Sequence, residues 1–292
     1  MFTDPPPTQY DIHFSIFGIP VRVHPLFWAV AVMLGLSLRN MTNVLLWMVA
    51  LFLAILVHEL GHALVMRYYG LRPWITLHGF GGLAAYDSSQ LGYSRANTWI
   101  RQIFISAAGA GAGFLLALIL IGICLILGYK VMVIAGIDTG YITIFGIKSG
   151  LLTLSDPTES YTGLNVAIWG IQSEKISIFI YFLLRVCIIW GLVNLLPVYP
   201  LDGGQIWREI LLRFNAREGI RRSLILSTVT ATLLAAFFLF NVLRDVRSAT
   251  EMGVPLGKAF HITSLFIPGL FGYLAYSSWA TLQAYTGNRP RW

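Results

Sequence analysis

Apolar residues fill stretch after stretch of this chain. Six of them, at about 25–38, 43–66, 102–128, 176–197, 222–243 and 259–286, approach or exceed the length that crosses a bilayer. Hydrocarbon about 30 Å thick offers no partner to a backbone N–H or C=O, so a chain can span it only as helices or as a closed barrel. Runs this long, without strict alternation, select the helix. The expected fold class is an all-α polytopic membrane protein with about six transmembrane helices. The composition agrees: of 292 residues, 57% are hydrophobic and 11% charged, and the mean hydropathy of +0.71 lies outside the range of soluble domains.

Two segments break the pattern. Asp11 to His24 alternates apolar and polar residues around Gly18-Ile19-Pro20, and Trp74 to Tyr86 does so after the second span, so both read as small β elements that pair at the membrane surface. The connection from Tyr129 to Lys175 is rich in Gly, Ile and Thr, shows no strong period and suggests no chemistry. No repeat, heptad or domain-sized polar tail interrupts the chain. Residues 1–292 are therefore expected to form a single membrane-embedded domain, with a core at about 43–215 and peripheral spans around it. Met1 to Pro7 lacks a basic segment ahead of a short apolar core, so no cleaved signal peptide is expected.

The formal charge is +7. The basic residues flank spans, which reports topology rather than a nucleic-acid partner. With the N-terminus placed in the cytoplasm, twelve Lys and Arg fall on the cytoplasmic side and seven on the other, and Arg208, Arg213, Arg217, Arg221 and Arg222 carry most of the bias. The expected location is the cell membrane, with both termini cytoplasmic. Arg185 alone sits inside a span, where it should snorkel or pair with a carbonyl. Cys124 and Cys187 lie in separate apolar runs, as core residues rather than as a disulfide or a cysteine metal site.

The second span ends in His58-Glu59-Leu60-Gly61-His62. On a helix, positions i and i+4 share a face, so both imidazoles reach one Zn²⁺ while Glu59 lies beside them to handle a water. A plain hydrogen-bonded polar cluster is the bland alternative, but burying such groups in lipid is costly and intramembrane ionisable residues are functional by default. Catalytic zinc keeps three protein ligands and an open fourth position. The third ligand is sought at Asp202, in Asn194-Leu195-Leu196-Pro197-Val198-Tyr199-Pro200-Leu201-Asp202-Gly203-Gly204, where two prolines should end the fourth span. Asp202 could equally cap the amphipathic segment Gln205 to Phe214. His78, Asp87 and His261 are competing third ligands.

These residues resemble the site-2 protease family of intramembrane metalloproteases. His58 to His62 matches its first zinc motif, and Asn194 through Gly203 its second; Phe17 to His24 and Gly79-Phe80-Gly81-Gly82 extend the likeness, which runs from about residue 12 to 215. The resemblance implies zinc at His58, His62 and Asp202, Glu59 as the acid/base, and Asn194 holding the substrate backbone or the developing oxyanion. The chain departs from many relatives at Gly109-Ala110-Gly111-Ala112-Gly113, which allows close helix packing but offers no polar group, and it shows no PDZ-like or nucleotide-sensing module.

The activity expected is hydrolysis of a peptide bond in or next to the membrane helix of a transmembrane protein substrate, with the lipid bilayer as the other partner and no nucleic acid or soluble cofactor. A helix hides its carbonyls, so the substrate must unwind, and an edge strand over Gly79, Gly81, Gly82 and Leu83, continuing to Tyr86, could bind the freed backbone. A zinc-binding scaffold without activity is the competing reading. Glu59 argues against it, since a structural zinc site needs no acid/base and closes its fourth position. A metal transporter would need further coordinating residues along its path.

Overall fold

The computed structural model describes residues 5–38, 40–79, 81–87, 89, 98–137, 140–146, 163–215, 218–253, 255 and 265–287. The helices are α1 (Pro25–Gly35), α2 (Met41–Tyr68), α3 (Trp99–Ile126), α4 (Glu174–Asn194), α5 (Asp202–Phe214), α6 (Gly219–Glu251) and α7 (Phe266–Gly287). The strands are β1 (Ile12–Ile16), β2 (Ile19–Val23), β3 (Pro73–His78), β4 (Gly81–Tyr86), β5 (Lys130–Ile137), β6 (Gly140–Gly146) and β7 (Gly163–Trp169).

Four helices, α2, α3, α4 and α6, combine apolar composition with the 21 to 33 residues that cross a membrane. The expected first span is shorter: α1 has 11 residues and continues only into a 3-10 turn at Leu36–Leu38. Its start is well specified, because Pro25 opens it and the Nδ1 of His24 accepts the Leu26 N–H at 3.1 Å. The last helix has 22 residues, but Ser277, Ser278, Thr281 and Gln283 make its second half less apolar than a span of that length requires. Its expected beginning at 259, with Lys258 and His261, lies outside the described residues, as do Phe80, Arg39, Arg95, Lys148, Arg217, Arg289 and Arg291.

The two β-like segments fold into one four-stranded sheet of order β1-β2-β3-β4. Phe17 and Gly18, with φ of 50° and 75°, make the tight turn between β1 and β2. The pair β2–β3 is parallel, with α1 and α2 as its crossover, and β3–β4 is antiparallel. Alternate residues Ile19, Val21, Val23, Ile75 and Leu77 are buried against Phe27 of α1 and Leu51, Ile55 and Leu56 of α2. Arg67, near the end of α2, donates from Nη1 to the carbonyl of Phe17 and ties the hairpin to the helix.

The connection after α3 is not the featureless loop that its sequence suggests. It forms a second, antiparallel sheet of order β6-β5-β7 between the ends of α3 and α4. The expected fold of helices with small surface β elements thus gains a second small sheet. The strands escape detection because β5 and β6 are apolar and glycine-containing throughout, without the alternation that a half-solvated strand displays.

Between the sheets, α2, α3 and α4 pack closely. A side chain at Gly61 would overlap the Ala108 carbonyl of α3, and one at Gly191 would come within 2.7 Å of the Phe114 ring. Cys124 and Cys187 are free and buried, as expected. The pair α6–α7 forms a separate cluster around Ala231, Phe271 and Leu274 that takes in Val198 from the segment after α4.

Candidate metal centre

The two histidines of α2 stand one turn apart and buried, with Nε2 atoms 3.2 Å from each other. The Nδ1 of His62 lies 2.7 Å from the Ile105 carbonyl of α3. A carbonyl can only accept, so Nδ1 carries the proton and Nε2 presents a lone pair inward. Gly109, one turn after Ile105, makes this approach possible: a side chain there would occupy the His62 ring. Gly109 and Ala112 of α3 thus fit against His62 and Gly61 of the metal helix.

The third member arrives from the other side of the bundle. Helix α4 ends at Asn194, and seven irregular residues lead to Asp202, the first residue of α5. The backbone of Tyr199 is held at both ends, its N–H donating to Ser227 Oγ at 3.0 Å and its carbonyl accepting from Ser278 Oγ at 3.1 Å. Gly203 and Gly204 lie flat on this turn, where side chains would overlap the Leu195 carbonyl and the Val198–Tyr199 backbone. Asp202 does not serve as the helix cap: Leu201 occupies that position, without a side-chain hydrogen bond. The carboxylate points instead at the histidines, with Oδ2 3.1 Å from His58 Nε2 and Oδ1 3.3 Å from His62 Nε2.

One ligand atom from each of His58, His62 and Asp202 lies within 4.8 Å of the other two, and all three residues are buried. Oδ2 of Asp202 accepts no hydrogen bond. Two imidazole lone pairs and a carboxylate converging on one buried point repel one another unless a cation lies between them, and two His with one carboxylate is a donor set that suits zinc. The residues therefore fit a divalent metal.

Glu59 is buried beside this group, and the N–H of Ala84 in β4 donates to its carboxylate. Gly82 lies so close that any side chain there would overlap Glu59. A cavity of about 400 Å³ joins these parts, bounded by His58, Glu59, His62, Asp202, Asn194, Gly82, Leu83 and Ala84. Asn194 is buried on its wall and donates from Nδ2 to the Trp190 carbonyl at 3.0 Å, which leaves Oδ1 and a second N–H. Of the other expected strand positions, Gly79 and Gly81 border a smaller neighbouring cavity of about 60 Å³ with Phe27 and Val30 of α1.

Among the competing ligands, His78 is buried on the cavity wall but outside the metal group, and Asp87 accepts the Ser89 N–H at 2.9 Å, away from it. His261 lies outside the described residues. Sequence reasoning missed Trp190, Arg208 and the α7 residues Leu270, Phe271 and Leu274, all of which line the cavity. Apolar residues carry no chemical signal in a sequence. Only the packing of α7 shows that they border the site.

Comparisons with known proteins bear on this arrangement. The family model described as Peptidase family M50 matches residues 46–239, which includes all three members of the metal group. A curated protein of Methanocaldococcus jannaschii, Zinc metalloprotease MJ0392, is 26% identical over 242 residues, covering 80% of this chain and 55% of that protein. A relative from Synechocystis is 26% identical over 222 residues, covering 70% of this chain and 46% of its own length. The chain thus spans about half the length of the curated relatives it matches. Among solved structures, the Site-2 Protease from Methanocaldococcus jannaschii superposes with a TM-score of 0.50 at 22% identity, covering 93% of this chain and 94% of that one, a likeness of fold.

Proposed function

On the premise that the chain belongs to peptidase family M50, the site-2 protease family, we propose that it is a zinc-dependent endopeptidase that cleaves a membrane-anchored protein in or next to its transmembrane helix. The observation that carries this reading is the buried convergence of His58, His62 and Asp202 with Glu59 in one cavity beside β4. The zinc-metalloprotease names of the relatives support the choice of metal.

His58 and His62 of α2 and Asp202 of α5 would hold zinc, which when bound would polarise the scissile carbonyl and acidify a water. Glu59 is placed to take a proton from the attacking water and to deliver it to the leaving amine. Its place between the ligands and β4 puts it on the substrate side of the group. Asn194 offers its free amide N–H to the substrate backbone or to the oxyanion that develops on hydrolysis.

Strand β4 is an edge of its sheet, and the Ala84 N–H already turns away from β3 toward the site. The unwound substrate adds as a fifth strand along Gly82, Leu83 and the residues to Tyr86, which delivers an extended carbonyl to the metal group. In the bilayer, α1 and α7 complete a six-helix domain with the four long helices, and the basic residues after α5 keep the termini and the site on the cytoplasmic side of the cell membrane.

The test is cleavage of a single-span reporter by the wild-type chain and by Glu59→Gln, with bound zinc measured in both. Glu59→Gln should retain zinc and lose at least about 10³-fold in cleavage rate. Equal cleavage by the two chains would refute the assignment.

A further inference from the structure

Arg185 has no part in the site just described. It lies within α4, 11 residues from Glu174 and 9 from Asn194, so at 1.5 Å per residue it is about 16 Å from one end of the span and about 14 Å from the other. The side chain is exposed. Its Nη1 donates to the Tyr181 hydroxyl at 2.7 Å, and its guanidinium lies 5.8 Å from the centre of the Tyr181 ring. A guanidinium carries five donors and a permanent charge. Among the described residues, a phenol one turn away is its only hydrogen-bond partner, and no carboxylate meets it.

Nine residues are about two and a half helical turns, so Arg185 and Asn194 face opposite ways along α4. The arginine therefore points away from the metal cavity, and a substrate seated there cannot serve it. The same face carries Tyr181, Arg185, Ile188 and Leu192, spaced four, three and four residues apart, with Arg185 and Leu192 exposed and Tyr181 and Ile188 half-buried at its margin. That is the spacing of a seam against another helix.

The geometry points to this face of α4 as a docking site for a transmembrane helix of another protein that carries a carboxylate at mid-membrane. Charge complementarity and depth select the occupant. A phospholipid headgroup lies about 14 Å or more away along the helix, beyond the reach of an arginine side chain. A second copy is disfavoured, because a symmetric pair about a two-fold axis along the membrane normal would set two Arg185 side chains against each other at the same depth. A carboxylate on a neighbouring helix neutralises the charge and accepts the donors that Tyr181 leaves unused.

The experiment uses the full chain in phosphatidylcholine bilayers and, as probe, a designed leucine-rich single-span helix with Asp or Leu at its centre, with association read by fluorescence energy transfer. The wild-type chain should bind the Asp helix at least tenfold more tightly than the Leu helix. Arg185→Met and Arg185→Gln should both lose that preference while reporter cleavage stays at the wild-type rate. Arg185→Glu should prefer instead a probe with central Lys.

Equal binding of both probes to the wild type, or a preference that survives in the Arg185 variants that fold, would overturn the proposal. So would its erasure by added phosphatidylglycerol, which would assign Arg185 to lipid, or an Arg185-dependent dimer, which would assign it to a second copy. Asp4, Asp138, Asp156 and Glu159 lie outside the described residues. A D4N/D138N/D156N/E159Q chain should bind the Asp probe as the wild type does; tighter binding would mean that the chain's own carboxylates occupy Arg185, and would also overturn the proposal.

Discussion

The two sheets of this protein pack on different helices, the four-stranded one on α1 and α2 and the three-stranded one on α3 and α4, and have opposite characters. The four-stranded sheet lies against the metal end of α2, buries alternate side chains on α1 and α2, and ends in an edge strand whose Ala84 N–H meets Glu59. The three-stranded sheet joins the far ends of α3 and α4, where the 21 residues of α4 separate β7 from Asn194 by about 30 Å. One sheet can touch the chemistry; the other can only brace the bundle. Distance and edge geometry together assign the roles, and substitutions in each sheet test the assignment.

Among substitutions in the two sheets, the largest effect is expected at Gly82. A Val there must displace the Glu59 side chain, whose atoms are the nearest to its Cβ. Gly82→Val should keep its zinc and lose about 10²-fold or more in reporter cleavage, the scale of a displaced general base. Retained cleavage would remove β4 from the active site and erase the contrast between the sheets.

The next effect is smaller and sharpens the same contrast. The Ala84 N–H turns outward, so Tyr86, two residues on, presents its N–H along the same free edge. Tyr86→Pro removes one donor from an added substrate strand without removing a bond to β3. Cleavage should fall about tenfold in kcat/KM with the melting temperature retained, consistent with the loss of one or two backbone hydrogen bonds. Thr143→Pro, in the edge strand β6, should leave cleavage within about twofold of wild type. Similar losses in both would mean that the strands act through stability alone.

The same contrast explains what could be read in advance. His58 and His62 were legible because the helical period fixes which residues share a face, and Asp202 because prolines announce where a span must break. The first sheet was legible through its alternation at Val21, Val23, Ile75 and Leu77, imposed by one buried face. The second lacks that imprint and reads as loop. Helix α6 runs past its apolar stretch because polar residues such as Arg247 and Glu251, paired at 2.8 Å, continue it. The cavity walls from Trp190 and from α7 were hidden for another reason. Phe271 and Leu274 reach the site through tertiary packing with α6, and an apolar residue looks the same in a sequence whether it meets lipid, core or substrate.

The smallest effect concerns the other edge of the first sheet, where β1 faces water instead of a substrate. Asp11, just before β1, accepts from Thr8 Oγ1 at 2.6 Å and from Arg22 Nη1 of β2 at 3.0 Å. The Thr8 side-chain hydrogen bond, opposed by burial and helped by the Thr8 N–H and by Arg22, holds its carboxyl below the ordinary carboxylate range. A carboxyl whose pKa is depressed by folding stabilises the native state above its unfolded pKa, and that stability is lost as the pH falls through the folded value. Asp11→Asn should therefore lower the melting temperature at pH 7 by only about one or two degrees, as fits a clasp at the protein surface. The difference should shrink as both chains are taken to pH values below the ordinary carboxylate range. Cleavage at pH 7 should not change, because β1 is at the opposite edge of the sheet from β4, the strand beside Glu59. If Asp11→Asn slowed cleavage without shifting the melting temperature, the β1 edge would be coupled to the site through β2 and β3, and the sheet would act as one unit instead of through its β4 edge.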